Sequence, residues 1–205
     1  MTTDPLLKYR EQHKHRLNYM PWLYWSLKTK HREWAEAWQA EYQAYLMEME
    51  TIEIGKNCFI SPLAHIFAER GRKITIGDNT FIAADCTLHG PLEIGNEVAI
   101  NHHCILDGGR AGIKLHDQVR IAAYSHLYAF DHGMGLDRPL YQQPVTSKGI
   151  EIGRDVWLGA HVGIKDGVKI GHHAVVGMNS MVTKDIEDFA IVAGNPARFI
   201  RYRTE

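Results

Sequence analysis

The chain has 205 residues, of which 45% are hydrophobic, and 23 Lys and Arg face 24 Asp and Glu for a formal net charge of −1. That length suits one domain with a modest appendage. The charge balance excludes a protein built as an electrostatic nucleic-acid binder, which needs a basic face. No run approaches the ~18 consecutive apolar residues of a membrane span, and the polar start MTTDPLLKYREQHKHR lacks the apolar core of a signal peptide. The three cysteines form no CxxC and exclude a disulfide framework, so a cytoplasmic location is expected.

Residues 1–50 read as a helical segment, poor in Gly and holding four of the five Trp. A first helix is expected around residues 4–18, ended by Pro21. A second carries Trp34, Trp38, Tyr42, Tyr45 and Met49 at steps of four, four, three and four, one stripe on a helix of 3.6 residues per turn. The stripe is expected to pack on whatever follows, with Trp22, Trp25 and Trp34 alternatively forming a sugar-stacking surface.

After Glu50 the helical period gives way to a repeat. Ile-Gly pairs stand at Ile54-Gly55, Ile76-Gly77, Ile94-Gly95, Ile152-Gly153 and Ile170-Gly171, with Leu115-His116 in an equivalent place. The unit is 18 residues, divided into sixes by aliphatic positions such as Ile76, Ile82 and Leu88. Four residues beyond an aliphatic start the side chain is always small: Cys58, Ala64, Thr80, Cys86, Val98, Cys104, Val119, Ser125, Val156, Val162, Val168, Ala174 and Ser180. This pattern predicts a triangular coil over residues 51–190, with three short strands per turn and stacked turns sharing one core. Residues 191–205 are expected to form a C-terminal tail. The cysteines, all at the small inward position, are core fillers and neither nucleophiles nor metal ligands.

One interruption stands out, a 19-residue insertion within residues 128–151 that is rich in Gly, Pro and turn residues. A regular coil needs no such loop, which makes it the natural place for function. His132 is its only histidine, preceded by Asp131 and followed by Gly133.

The repeat resembles the hexapeptide-repeat left-handed β-helix, an all-β solenoid. Within it, IAAYSHLYAFDH (121–132), IEIGRDVWLGAHVGIKDGVKIG (150–171), VTKDI (182–186) and AGNPARFIR (193–201) are similar to the O-acetyltransferases of the maltose, galactoside and xenobiotic type. That resemblance implies an acetyl-CoA-dependent transferase acting on a sugar, polysaccharide precursor or small xenobiotic, with no metal. It places His132 on the general base, and Asn101, His102 and Asp131 beside the acceptor. Trp157 falls near the acyl slot or at a subunit contact. Gly159, Ala160, Gly177, Thr183, Lys184, Arg198 and Arg201 fall on the coenzyme's path, with the Gly159–Ala160 turn the source of an oxyanion donor. A homotrimer is implied in the same way.

The chain departs from that family at DHG (131–133), where GHP is usual, at HDQV (116–119), and throughout the aromatic N-terminal segment. Two other readings of the coil stand beside the transferase. A non-catalytic scaffold would have no need of the His132 loop. A metalloenzyme of the γ-carbonic-anhydrase kind would need paired histidines, whereas Asp166 stands five residues after His161.

Overall fold

Strands of two or three residues, separated by tight corners, are what a six-residue unit allows, and the computed structural model, which describes residues 6–204, shows them from Ile52 to Val182. Apart from the last strand of the eight they stack in parallel, into three sheets, two of six strands and one of eight, that form the faces of a solenoid of about six coils. The first face runs from Ile52–Ile54 to Lys169–Ile170, the second from Phe59–Ile60 to Ala190–Ala193, and the third from His65–Phe67 to Met181–Val182. Register is strict, so that Ile54, Ile76, Ile94, Leu115, Ile152 and Ile170 form one ladder. All thirteen small positions read from the sequence are buried. The aliphatic positions are buried with them, except Ile54, which is half-buried at the end of the stack.

The Ile-Gly pairs have a steric cause. A Cβ on Gly77 would lie 2.6 Å from the backbone carbon of Gly95 in the next coil, so only glycine lets the coils stack there. The residue after each glycine ties the corner together. Asn96 Oδ1 accepts the Asp78 amide at 2.8 Å and Asp117 Oδ1 accepts the Asn96 amide at 2.7 Å, satisfying outward backbone donors coil by coil. The three cysteines are buried and unbridged, at their expected inward positions.

The N-terminal segment forms α1 (Leu7–Tyr19), a 3₁₀ turn (Pro21–Ser26) and α2 (Thr29–Met49). The start of the expected first helix, at residues 4 and 5, lies outside the described residues. α2 does not present its aromatic stripe squarely to the coil. Its buried face is Ala35, Gln39 and Leu46, with Trp34, Trp38 and Tyr42 half-buried beside it, while Tyr45 and Met49 are exposed. The cause is the surface it meets, the unpaired edge of the first coil, which offers backbone groups as well as apolar side chains. Gln39 and Gln43 satisfy that edge at Cys58 and Ile60.

The aromatics pack around the outside of the second face instead. Phe59 meets Trp38 at 5.9 Å and Tyr24 at 5.5 Å, and Trp25 meets Phe81 at 6.1 Å between ring centroids. Burial there pushes the Tyr24 hydroxyl up to about 12.

At the far end the expected tail is ordered structure. Ala190–Ala193 adds a rung to the second face, and Arg198–Tyr202 folds back antiparallel along it.

Candidate active site

The long loop leaves the third face after Tyr128 and rejoins the first face at Ile150. Its neck is tied by Ser147, whose hydroxyl donates to the Ala129 carbonyl at 2.5 Å and accepts the Arg110 and Ala111 amides, each at 2.9 Å. Beyond the neck, the buried Asp166 carboxylate accepts the Lys148 and Gly149 amides at 2.9 and 3.0 Å. Inside the loop the buried Gln143 side chain donates to the Gly135 and Arg138 carbonyls at 3.0 and 2.8 Å. Two-residue strands then complete it, His132 opposite Val145 and Asp131 opposite Thr146.

His132 is therefore an exposed side chain on a fixed backbone. Its only ring neighbour among the described residues is Phe130, at 6.3 Å. Asp131 is not directed to His132, because its carboxylate pairs with Lys165 on the third face at 3.2 Å.

Asn101 and His102 occupy the corner between the second and third faces. The Asn101 side-chain amide donates to the Ile121 carbonyl at 2.8 Å, so its carbonyl oxygen is the part free to meet a ligand. The His102 ring lies among Tyr19, His103 and Tyr124 at 6.0, 5.3 and 5.6 Å. Its Nδ1 is buried without a hydrogen-bond partner. Burial, reinforced by His103, holds the imidazole below its ordinary value. The same corner carries a stack of rings, His103 on Tyr124 at 4.7 Å and Tyr124 on His161 at 4.9 Å.

Gly159 and Ala160 lie two coils further along that corner. The Gly159 amide donates to the Val176 carbonyl at 2.8 Å, and Gly177 likewise to Val192 at 2.8 Å. Among the described residues no acceptor meets the Ala160 amide, so this is the outward donor of the pair. Trp157 is 54% exposed on the outer side of the second face, in register with Arg120 and Val175. Thr183, Lys184 and Arg198 come together with Phe199 and Tyr202 around a cleft of about 530 Å³ at the C-terminal end of the coil. Arg201 does not line it and sits exposed on the returning strand, opposite Ile191.

A larger concavity, about 910 Å³, lies elsewhere, along the outer side of the first face. It contains none of the residues named from the sequence. Two pairs of its charges meet, Lys114 with Glu93 at 3.4 Å and Lys169 with Glu151 at 3.5 Å. Among the described residues no three His, Cys, Asp or Glu are grouped to hold a metal ion, and no helix is long and apolar enough to cross a membrane.

Residues 149–184 match the family model for the bacterial transferase hexapeptide (six repeats). The chain is 30% identical over 165 residues to the galactoside O-acetyltransferase of Escherichia coli, covering 80% of this chain and 70% of that protein. The chain belongs to the hexapeptide-repeat acyltransferase family. It spans less of other curated relatives, 44% of one and 60% of another.

Two solved structures extend the comparison. A mutant of AntD, an N-acyltransferase from Bacillus cereus in complex with dTDP and coenzyme A, superposes with a TM-score of 0.71 at 31% identity, over 79% of this chain and 90% of that one. A hexapeptide-repeat acetyltransferase from Vibrio cholerae, complexed with acetyl coenzyme A, gives 0.58 at 26% identity, over 100% of this chain and 93% of that one.

Sequence reasoning missed Gln143, Ser147 and Lys165, and weighed Asp166 only as a stand-in for a metal ligand. Their roles depend on partners far along the chain, and no local spacing announces them.

Proposed function

We propose that this chain is an acetyl-CoA-dependent O-acetyltransferase that modifies a hydroxyl of a sugar or of a polysaccharide precursor. The observation that carries the reading is His132, exposed on a loop that is stapled at its neck and within, on a coil of the acyltransferase family. The His132 imidazole takes the hydroxyl proton as the oxygen attacks the thioester carbonyl. The Ala160 amide receives the oxyanion that develops there. Collapse of the tetrahedral species breaks the carbon–sulfur bond, and the departing thiolate recovers the proton from the imidazolium.

In the same reading Asn101, His102, Asp131 and Trp157 shape the acceptor and acyl side. Gly159 and Gly177 leave room for the pantetheine arm, while Thr183, Lys184, Arg198 and Arg201 meet the coenzyme's phosphates. Three copies assemble with their clefts between neighbours, in the cytoplasm, where the thiols of Cys58, Cys86 and Cys104 stay reduced.

Calorimetric titration with acetyl-CoA and with free CoA tests the first half, with about one site per chain expected. Thiol release with a panel of sugar hydroxyls tests the second. The matching panel of amino sugars is a real rival, since one structural neighbour is an N-acyltransferase. Turnover on amines alone would replace O-transfer by N-transfer. No coenzyme binding at high concentration would remove the reading and leave a scaffold.

A further inference from the structure

The near-zero net charge of the chain conceals an asymmetry. Between residues 6 and 32 there are seven Lys and Arg and one Glu, whereas the remainder carries 16 against 23 Asp and Glu. The fold gathers part of this charge at one place. Arg16, Lys28 and Lys30, with His13 and His31, ring a cleft of about 440 Å³ whose floor is Leu17, Leu23 and Leu27, and no acidic side chain lines it.

The His13 and His31 rings are 4.5 Å apart. Burial, then the charges of His31, Arg16 and Lys30, hold His13 below the ordinary imidazole value. Lys14 and Arg32 nearby pair with Glu11 and Glu36, but among the described residues no ion pair engages Arg16, Lys28 or Lys30. The same segment exposes Leu7, Tyr9 and Trp22, and Tyr and Trp are side chains suited to a boundary that is apolar on one side and wet on the other.

A cluster of cations around an apolar slot complements a ligand that is anionic at one end and hydrocarbon at the other. A nucleic acid has no hydrocarbon part to fill the leucine floor, and a small inorganic anion would leave that floor empty. We propose that this segment docks the protein on an anionic bilayer surface, with Arg16, Lys28 and Lys30 meeting lipid phosphates and the cleft receiving an acyl chain. The proposal concerns where the protein works and does not rest on the acyl-transfer reading.

Cosedimentation of the full-length protein with vesicles tests it. The protein is expected to pellet with vesicles of phosphatidylcholine and phosphatidylglycerol, and not with phosphatidylcholine alone. High salt should release it. The triple variant Arg16→Glu, Lys28→Glu, Lys30→Glu changes only exposed side chains and is expected to keep the wild-type melting profile while binding falls at least ~10-fold. Phosphatidylglycerol with brominated chains is expected to quench the tryptophan fluorescence of the wild type. Equal binding to neutral vesicles, unchanged binding by a folded triple variant, or pelleting without bromine quenching would overturn the proposal. So would binding of duplex DNA as tight as that of the vesicles, which would mark a general polyanion surface.

Discussion

Gln39 replaces a missing strand: its side-chain carbonyl accepts the Ile60 amide at 2.8 Å and its side-chain amide donates to the Ile60 carbonyl at 3.1 Å. Both groups belong to the open edge of the first coil, and both are buried. Gln43 adds a bond to the Cys58 carbonyl at 2.9 Å, so one helix supplies the hydrogen bonds that a further coil would have made.

Gln39→Leu, which keeps the bulk and removes the polar pair, is therefore expected to destabilise the fold by about 2 kcal/mol, because it leaves a buried donor and a buried acceptor unsatisfied. Chemical denaturation measures this directly. A loss within a few tenths of a kcal/mol would mean that water reaches Ile60 once the glutamine is gone.

His132→Ala is expected to lower turnover by ~10²–10⁴-fold while leaving coenzyme binding and the melting temperature unchanged, since the side chain is exposed and holds nothing else in place. Gln143→Ala loosens the loop without touching the reacting groups, so a smaller loss in kcat is expected. Restoration by Gln143→Glu is not expected, because a carboxylate cannot donate to the Gly135 and Arg138 carbonyls. A His132→Ala enzyme within a few-fold of wild type would remove the assignment of the base.

Acid should release the C-terminal strand before the rest of the coil. The hydrogen bond from His173 at 2.9 Å, with Arg203 beside it at 3.0 Å, holds the Asp155 carboxyl below its ordinary value. A depressed folded value means that the contribution is complete above the unfolded carboxylate value of ~4 and is lost as pH falls through the folded one. The protection of residues 198–203 against hydrogen exchange, taken relative to the intrinsic exchange rate at each pH, should therefore fall on acidification, and in Asp155→Asn it should be low at neutral pH as well. Protection independent of pH in the wild type would show that the backbone ladder to Ala190–Ala193 suffices alone.

The thiols should be silent in the native protein. All three thiols are buried, out of reach of a reagent in solution, and burial pushes the Cys58 thiol up. Dithionitrobenzoate is expected to find no reactive thiol until denaturant is added, and then all three. That silence also keeps the background low when released coenzyme is measured with the same reagent.

The coil was legible because its burial is periodic. A six-residue unit repeats one inward aliphatic and one inward small side chain, and residues such as Ile82 and Cys86 announce their places from spacing alone. The orientation of α2 was not legible in this way. Its most apolar stripe runs through Trp38 and Tyr45, yet it turns Gln39 inward, because the target is a backbone edge and apolar periodicity counts only side chains. His132 was legible as the one histidine of an unneeded loop. The means of holding it were not, since Ser147 with Ala129 and Asp166 with Lys148 are single polar pairs 18 residues apart that repeat nowhere. Arg201 lies in a basic stretch that reads as one cluster, and in the structure it stands outside the cleft that Arg198, Phe199 and Tyr202 line.

The two ends of the solenoid are finished by different means, glutamine side chains at one and an antiparallel hairpin at the other. A parallel coil with bare ends would be a template for another copy to continue, end on end, into a fibre. Neither finish can be copied by the next molecule, because Gln39 already occupies the hydrogen bonds of Ile60 and the strand Arg198–Tyr202 runs against the direction of every coil beneath it. Two pieces of chain that do not belong to the repeat thus close the second face at both ends, and removing either would bare a strand edge open to another copy.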